Sequence, residues 1–172
     1  IPNMTLFAPK NGKELKQALH FALEEYNGPI GIRYPRGKAV TDFEEFDEPI
    51  VYGRSEYLYK EDDIALLAVG NMVTTAAKVR EKLKEKGYNA TLVNVRFVKP
   101  IDEGMVIKVC QNHKLVVTLE ENVITGGFGE AVSQFMEEKK LDNRLLNIAL
   151  PDDYIEHGSV DILKCEAGID TD

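Results

Sequence analysis

Arg33 and Arg36 flank Tyr34-Pro35 and run into Gly37, and this turn gathers the groups best suited to hold an anion. Ahead of it, Ile30, Ile32 and Tyr34 alternate with Gly31 and Arg33, the period of a strand with one packed face. Gly31 leaves room on the other face for a neighbouring backbone or a ligand. Pro35 has no N–H to give to a ladder, so the strand stops there and Arg36 lies beyond its carboxyl end. Ligands of open α/β sheets sit at that end, and a planar guanidinium suits a phosphate or a carboxylate. Arg33 is the weaker candidate, because alternation turns it sideways. The competing reading pairs both arginines with surface carboxylates.

Other reactive residues are sparser. Gly126-Gly127-Phe128-Gly129 lacks the spacing of a dinucleotide loop and follows Glu120 and Glu121, which would repel a pyrophosphate. These glycines read instead as a tight strand-to-helix turn with close packing, and the glutamates as a subunit contact or hydrogen-bond network. Adjacent strand positions point oppositely, so the two carboxylates do not share a site, and Glu121 is kept as a cleft or interface candidate. His157, between Glu156 and Gly158 on the loop after the last strand, is a second residue that could border a cleft. His113 and His20 read as solvated. No nucleophile–histidine–carboxylate spacing, metal cluster or phosphate loop is present, so the residues by themselves indicate an α/β domain with one anion site.

The elements that must position Arg36 follow from periodicity. Residues 4–8 read as a short buried strand. Asn11 is an N-cap with Glu14 completing a capping box, and Leu15, Ala18, Leu19, Ala22, Leu23 and Tyr26 form an apolar helical stripe ending at Gly28. Residues 1–37 are thus one βαβ unit that cannot bury its faces alone and needs a larger domain or a partner. An acidic stretch at 42–48 follows, with Phe43 and Phe46 tacking it to a surface. Beyond Pro49 an edge strand is expected in 50–59, then buried parallel strands at 64–69, 90–95, 115–119 and 145–149. Helices fall between them: one ending at Gly87, one capped by Asp102, one with Ala131, Val132, Phe135 and Met136 inside, and a short one from Ser159 to Cys165. Residues 96–100 read as a crossing loop. The expected architecture is a three-layer, doubly wound, mostly parallel sheet with one antiparallel edge strand, preceded by the βαβ piece.

Composition sets the class. A chain of 172 residues, 44% hydrophobic and 29% charged, buries one ordinary core. Its 21 basic and 29 acidic residues leave −8, which argues against nucleic acid or an anionic membrane as the main partner. Cys110 and Cys165 match no metal spacing and read as reduced thiols of a cytoplasmic protein. No stretch approaches a membrane span, and the start Ile1-Pro2-Asn3-Met4 reads as cut from something longer.

Five segments occur in a telling order: Ile1-Pro2-Asn3-Met4; Arg33-Tyr34-Pro35-Arg36-Gly37; Arg96-Phe97-Val98-Lys99-Pro100-Ile101-Asp102; Glu120-Glu121-Asn122 with Gly126-Gly127; and Leu146-Asn147-Ile148-Ala149-Leu150-Pro151-Asp152. Together they resemble the carboxyl-terminal part of the deoxyxylulose phosphate synthase family of transketolase-like enzymes, over nearly the whole chain. That family uses thiamine diphosphate and magnesium to decarboxylate pyruvate and join the two-carbon unit to glyceraldehyde 3-phosphate, towards isoprenoids, thiamine and pyridoxal. The resemblance implies that 1–40 is the tail of a pyrimidine-binding domain, 41–49 a linker, and 50–172 most of a carboxyl-terminal domain. It puts the family's phosphate-binding arginine on Arg36 and implies a homodimer that includes an amino-terminal part of the same protein. The family's Gly-Asp-Gly signature, activating glutamate and active-site histidines have no counterpart here. The chain alone is therefore expected to carry no catalytic residue, bind no thiamine diphosphate or Mg2+, and lack activity. Transketolase, the beta subunit of a 2-oxoacid dehydrogenase and a non-catalytic dimerisation module are the alternatives.

Overall fold

The chain, seen in a computed structural model that describes residues 1–171, opens with β1 (Thr5–Phe7) and α1 (Gly12–His20). Asn11 caps α1 by accepting the Glu14 N–H at 2.8 Å. Glu14 does not close a capping box on Asn11; its Oε2 accepts the N–H of Lys10 at 2.7 Å. A π-helical turn (Phe21–Glu25) ends the helix, and β2 (Ile30–Ile32) returns parallel to β1. The expected apolar stripe is only half right. Glu14, Ala18 and Phe21 face inward, while Leu19 and Leu23 are 47% and 79% exposed. The cause is aromatic packing: Phe21 stacks on Tyr26 and meets the edge of Phe97, and that small cluster with Phe7 sets the helix rotation.

The acidic stretch runs over the surface as its phenylalanines suggest. Phe43 and Phe46 pack against the second core, Phe46 edge-on to Tyr59. Asp47 accepts from Lys13 at 2.7 Å and from Gln17 at 2.5 Å, and the Lys13 bond, then the Gln17 bond, hold its carboxyl below the ordinary value.

β3 (Glu56–Tyr59), β4 (Ile64–Ala68), α2 (Met72–Glu85), β5 (Ala90–Asn94), β6 (Phe97–Lys99), α3 (Glu103–Asn112), β7 (Leu115–Val123), α4 (Phe128–Glu138), β8 (Arg144–Leu150) and α5 (Val160–Glu166) complete the chain. Five strands form one sheet in the order β3-β5-β4-β7-β8, parallel except for β3, the antiparallel edge strand. On one face α3 and α4 bury Val106, Val109, Val132 and Phe135. On the other, α2 buries Met72, Val73 and Ala76. This is the expected three-layer, doubly wound fold, and no helix is long and apolar enough to cross a membrane among the described residues.

The crossing loop expected at 96–100 is instead β6, which pairs antiparallel with β1 and makes a second sheet, β2-β1-β6. Phe97 packs edge-on to Phe7 at 4.9 Å, an apolar contact that draws this piece out of the connection. His113 is likewise not solvated. It is 6% exposed, with Nδ1 2.8 Å from the Val109 carbonyl and Nε2 2.9 Å from both the Glu61 carbonyl and Thr91 Oγ1.

Candidate functional site

The arginine turn leaves β2 at Ile32, where the Arg33 N–H donates to the Phe7 carbonyl at 2.8 Å. It comes back at Val40, whose carbonyl accepts the Gly12 N–H at 3.1 Å. Gly12 suits this close approach, since a Cβ there would meet Ala39 Cβ at 3.1 Å. The turn therefore arches over the start of α1 and encloses a cavity of about 380 Å³. Its walls include Pro9, Leu15, Arg36, Lys38, Ala39 and Asn71. The cationic side chains meet a mostly apolar lining, and no Asp or Glu lines the cavity, a donor set that suits an anion.

Arg33 takes a different place. Its Nη1 donates to the Glu121 carbonyl at 3.3 Å, across the narrow gap between the two sheets. Arg33, Asn71 and Glu121 line a neighbouring cavity of about 150 Å³, at the carboxyl ends of β4 and β7. The helices that follow those two strands lie on opposite faces, so this is the switch point where doubly wound sheets take ligands. Asn71 borders both cavities. Arg33 and Glu121 are thus brought together, with Arg36 on the far side of Tyr34 and Pro35. The Glu121 carboxylate pairs with Lys164. His157 stays on an exposed loop and lines neither cavity. The room beside Gly31 is filled by Leu6 and Met4, which a Cβ would meet at 3.1 and 3.3 Å.

Glu120 and the glycines behave as the close-packing reading expects. Glu120 is 2% exposed and accepts the N–H groups of Phe128 and Gly129 at 2.9 and 2.8 Å, capping α4. A Cβ on Gly127 would meet Glu120 Oε1 at 2.6 Å, and one on Gly129 would meet Thr118 Oγ1 at 2.7 Å.

One charged group went unread in the sequence. Lys10, Glu14, Glu56, Asn94 and Arg96 are all at most 2% exposed and meet behind the larger cavity. Lys10 Nζ lies 3.1 Å from Glu14 and 2.7 Å from Glu56. Arg96 Nε lies 2.7 Å from Glu14, and its Nη2 lies 3.2 Å from Glu56. Asn94 Nδ2 donates to Glu14 Oε1 at 2.8 Å and to Glu56 Oε2 at 3.2 Å. Burial pushes the Glu56 carboxyl up, but the Lys10 bond and the Arg96 and Lys10 charges outweigh it, so its pKa ends below the ordinary 4.5. The signal available in sequence was Asn94 and Arg96 standing in an otherwise apolar run.

Residues 53–172 match the family model described as transketolase, C-terminal domain. The chain is 43% identical over its whole length to the 1-deoxy-D-xylulose-5-phosphate synthase of Lachnoclostridium phytofermentans and 44% identical to that of Desulforudis audaxviator. It spans 28% and 27% of those relatives. A split-gene transketolase solved as an inactive β4 tetramer superimposes with a TM-score of 0.90 at 26% identity, over 99% of this chain and 54% of that one. A transketolase from Campylobacter jejuni shares the fold, with a TM-score of 0.70 at 19% identity over 99% of this chain and 25% of that one.

Proposed function

Since the chain belongs to the transketolase carboxyl-terminal domain family, we propose that it forms the carboxyl-terminal quarter of an enzyme that condenses pyruvate with glyceraldehyde 3-phosphate to give 1-deoxy-D-xylulose 5-phosphate and CO2. In this reading residues 1–40 end a pyrimidine-binding domain, 41–49 are the linker and 50–172 belong to the carboxyl-terminal domain. Identity above 40% along the whole chain to synthases of that name carries the reading. Arg36 binds the phosphate of the acceptor aldehyde, in the cavity whose cationic, carboxylate-free lining suits it. Arg33 tethers the turn to the Glu121 carbonyl across the sheets.

Thiamine diphosphate supplies the carbanion-stabilising chemistry in such enzymes. The residues of this chain do not fit it: a magnesium-bound diphosphate needs carboxylate and carbonyl oxygens, and the Arg36 cavity offers cations. No trio of His, Cys, Asp or Glu among the described residues is placed to hold the metal. The isolated chain then binds neither and is inactive, as the related β4 tetramer is, and calorimetry showing micromolar thiamine diphosphate binding would refute this. Exposed Leu6, Leu19 and Leu23 support docking on the amino-terminal part or on a second copy.

The deciding experiment is Arg36→Ala in the full-length enzyme. Loss of a charge-assisted contact of about 2–4 kcal/mol lowers kcat/KM for glyceraldehyde 3-phosphate by about 30-fold to 1000-fold. Pyruvate decarboxylation and an unphosphorylated aldehyde change far less. A phosphate-selective loss at Arg33→Ala in place of Arg36→Ala would reverse the assignment.

A further inference from the structure

Lys10 forms part of the wall of the Arg36 cavity, yet its ammonium turns away from the cavity to Glu14 and Glu56. Arg96 is held on the same two carboxylates and also donates to the Glu48 carbonyl at 2.8 Å and the Pro49 carbonyl at 3.3 Å. Its backbone has φ +59°, a left-handed conformation that a buried arginine keeps only where its surroundings over-determine it. Two cations and two carboxylates balance, and they come from α1 and its approach, from β3 and from the end of β5. The arginine turn leads straight into the 41–49 stretch, whose far end Arg96 holds at Glu48 and Pro49 and whose near end is held by Asn11, donating to the Asp42 carbonyl at 2.8 Å.

We infer that Glu14 and Glu56 are positioning residues for the phosphate site: by drawing Lys10 and Arg96 behind the cavity wall they seat the turn, which leaves Arg36, with Lys38 on the same wall, to meet the acceptor phosphate. This rests on the Arg36 assignment above. A buried polar cluster of this kind costs desolvation and adds little net stability, whereas the loss of a single member leaves an uncompensated charge.

The test uses the full-length enzyme with thiamine diphosphate and Mg2+, comparing Glu56→Gln, the double variant Glu56→Gln/Lys10→Met, and Arg36→Ala. In Glu56→Gln, KM for glyceraldehyde 3-phosphate rises about tenfold through displacement of the turn, while kcat and the constants for unphosphorylated glyceraldehyde stay within about twofold. Adding Lys10→Met restores charge balance, so Tm returns towards the parent while KM stays high. A KM that recovers together with Tm makes the cluster merely structural and overturns the inference, as does a KM unmoved in either variant. Should Glu56→Gln fail to fold, the double variant decides by the same reading. A phosphate-selective loss at Arg36→Ala with none in the cluster variants removes only the positioning role, whereas no loss at Arg36→Ala removes the site and the inference together.

Discussion

The two sheets solve the burial problem in opposite ways. The five-stranded sheet is covered on both faces, and β4 and β5 are almost wholly enclosed by apolar contacts from α2, α3 and α4. The three-stranded sheet is covered by α1 and a small aromatic group around Phe7, Phe21 and Phe97, with Tyr26 and Tyr52 at its margin, and it leaves Leu6, Leu19 and Leu23 exposed. It borrows β6 from the connection after β5 and is tied down by the Lys10–Glu14–Glu56–Arg96 cluster. The larger sheet holds itself by non-directional burial, while the smaller one depends on a few directional bonds. Directional bonds fix a geometry, which is what a ligand cavity needs.

Breaking the cluster should separate the two sheets most sharply. Arg96→Met leaves two buried carboxylates facing Lys10 alone and should cost about 3–5 kcal/mol in urea unfolding. Hydrogen exchange should rise first in β1 and β2. A loss below about 1 kcal/mol would mean that apolar contacts suffice at the junction. Within the larger sheet, Gly129→Ala forces a Cβ against Asn147 and Thr118, and overpacking there should cost about 1–3 kcal/mol. Its exchange signature should stay on α4 and β8, leaving the small sheet unchanged.

Acid offers a gentler probe of the same contrast. Glu56 has a pKa below its ordinary 4.5, so its contribution is fully present above that value and is lost as pH falls through the lower folded one. The urea midpoint should therefore drop below pH 4.5, and less steeply in Glu56→Gln. An unchanged slope would remove Glu56 from the linkage. The smallest effect is expected at the exposed leucines. Leu23→Gln should change stability by no more than about 0.5 kcal/mol yet reduce self-association in light scattering. A large stability loss there would show that this face is already packed within the monomer.

Most of the architecture was legible along the chain. A continuous apolar run announced β4, largely apolar stretches announced β5 and the start of β7, alternation marked the antiparallel edge strand, and Asn11 and Asp102 marked helix starts, both accepting an N–H from within the first turn of their helix. These are local signals, set by the period of each element and the needs of its ends. The turn at Arg36 was legible for the same reason, because a proline stop and a run of cations lie within a few residues.

What the sequence could not disclose depends on contacts between distant residues. Glu14 satisfied a local capping pattern, but its carboxylate went to Arg96, 82 positions away, because a buried guanidinium must be paired. Leu19 and Leu23 fitted the helical period, yet Phe21 won the inner face through ring contacts with Phe97. His113 looked like a turn residue, and only the fold brought the Glu61 carbonyl and Thr91 to its ring. Periodicity states which residues can share a face; which face is buried, and which charges are enclosed with it, is decided only when the two sheets pack together.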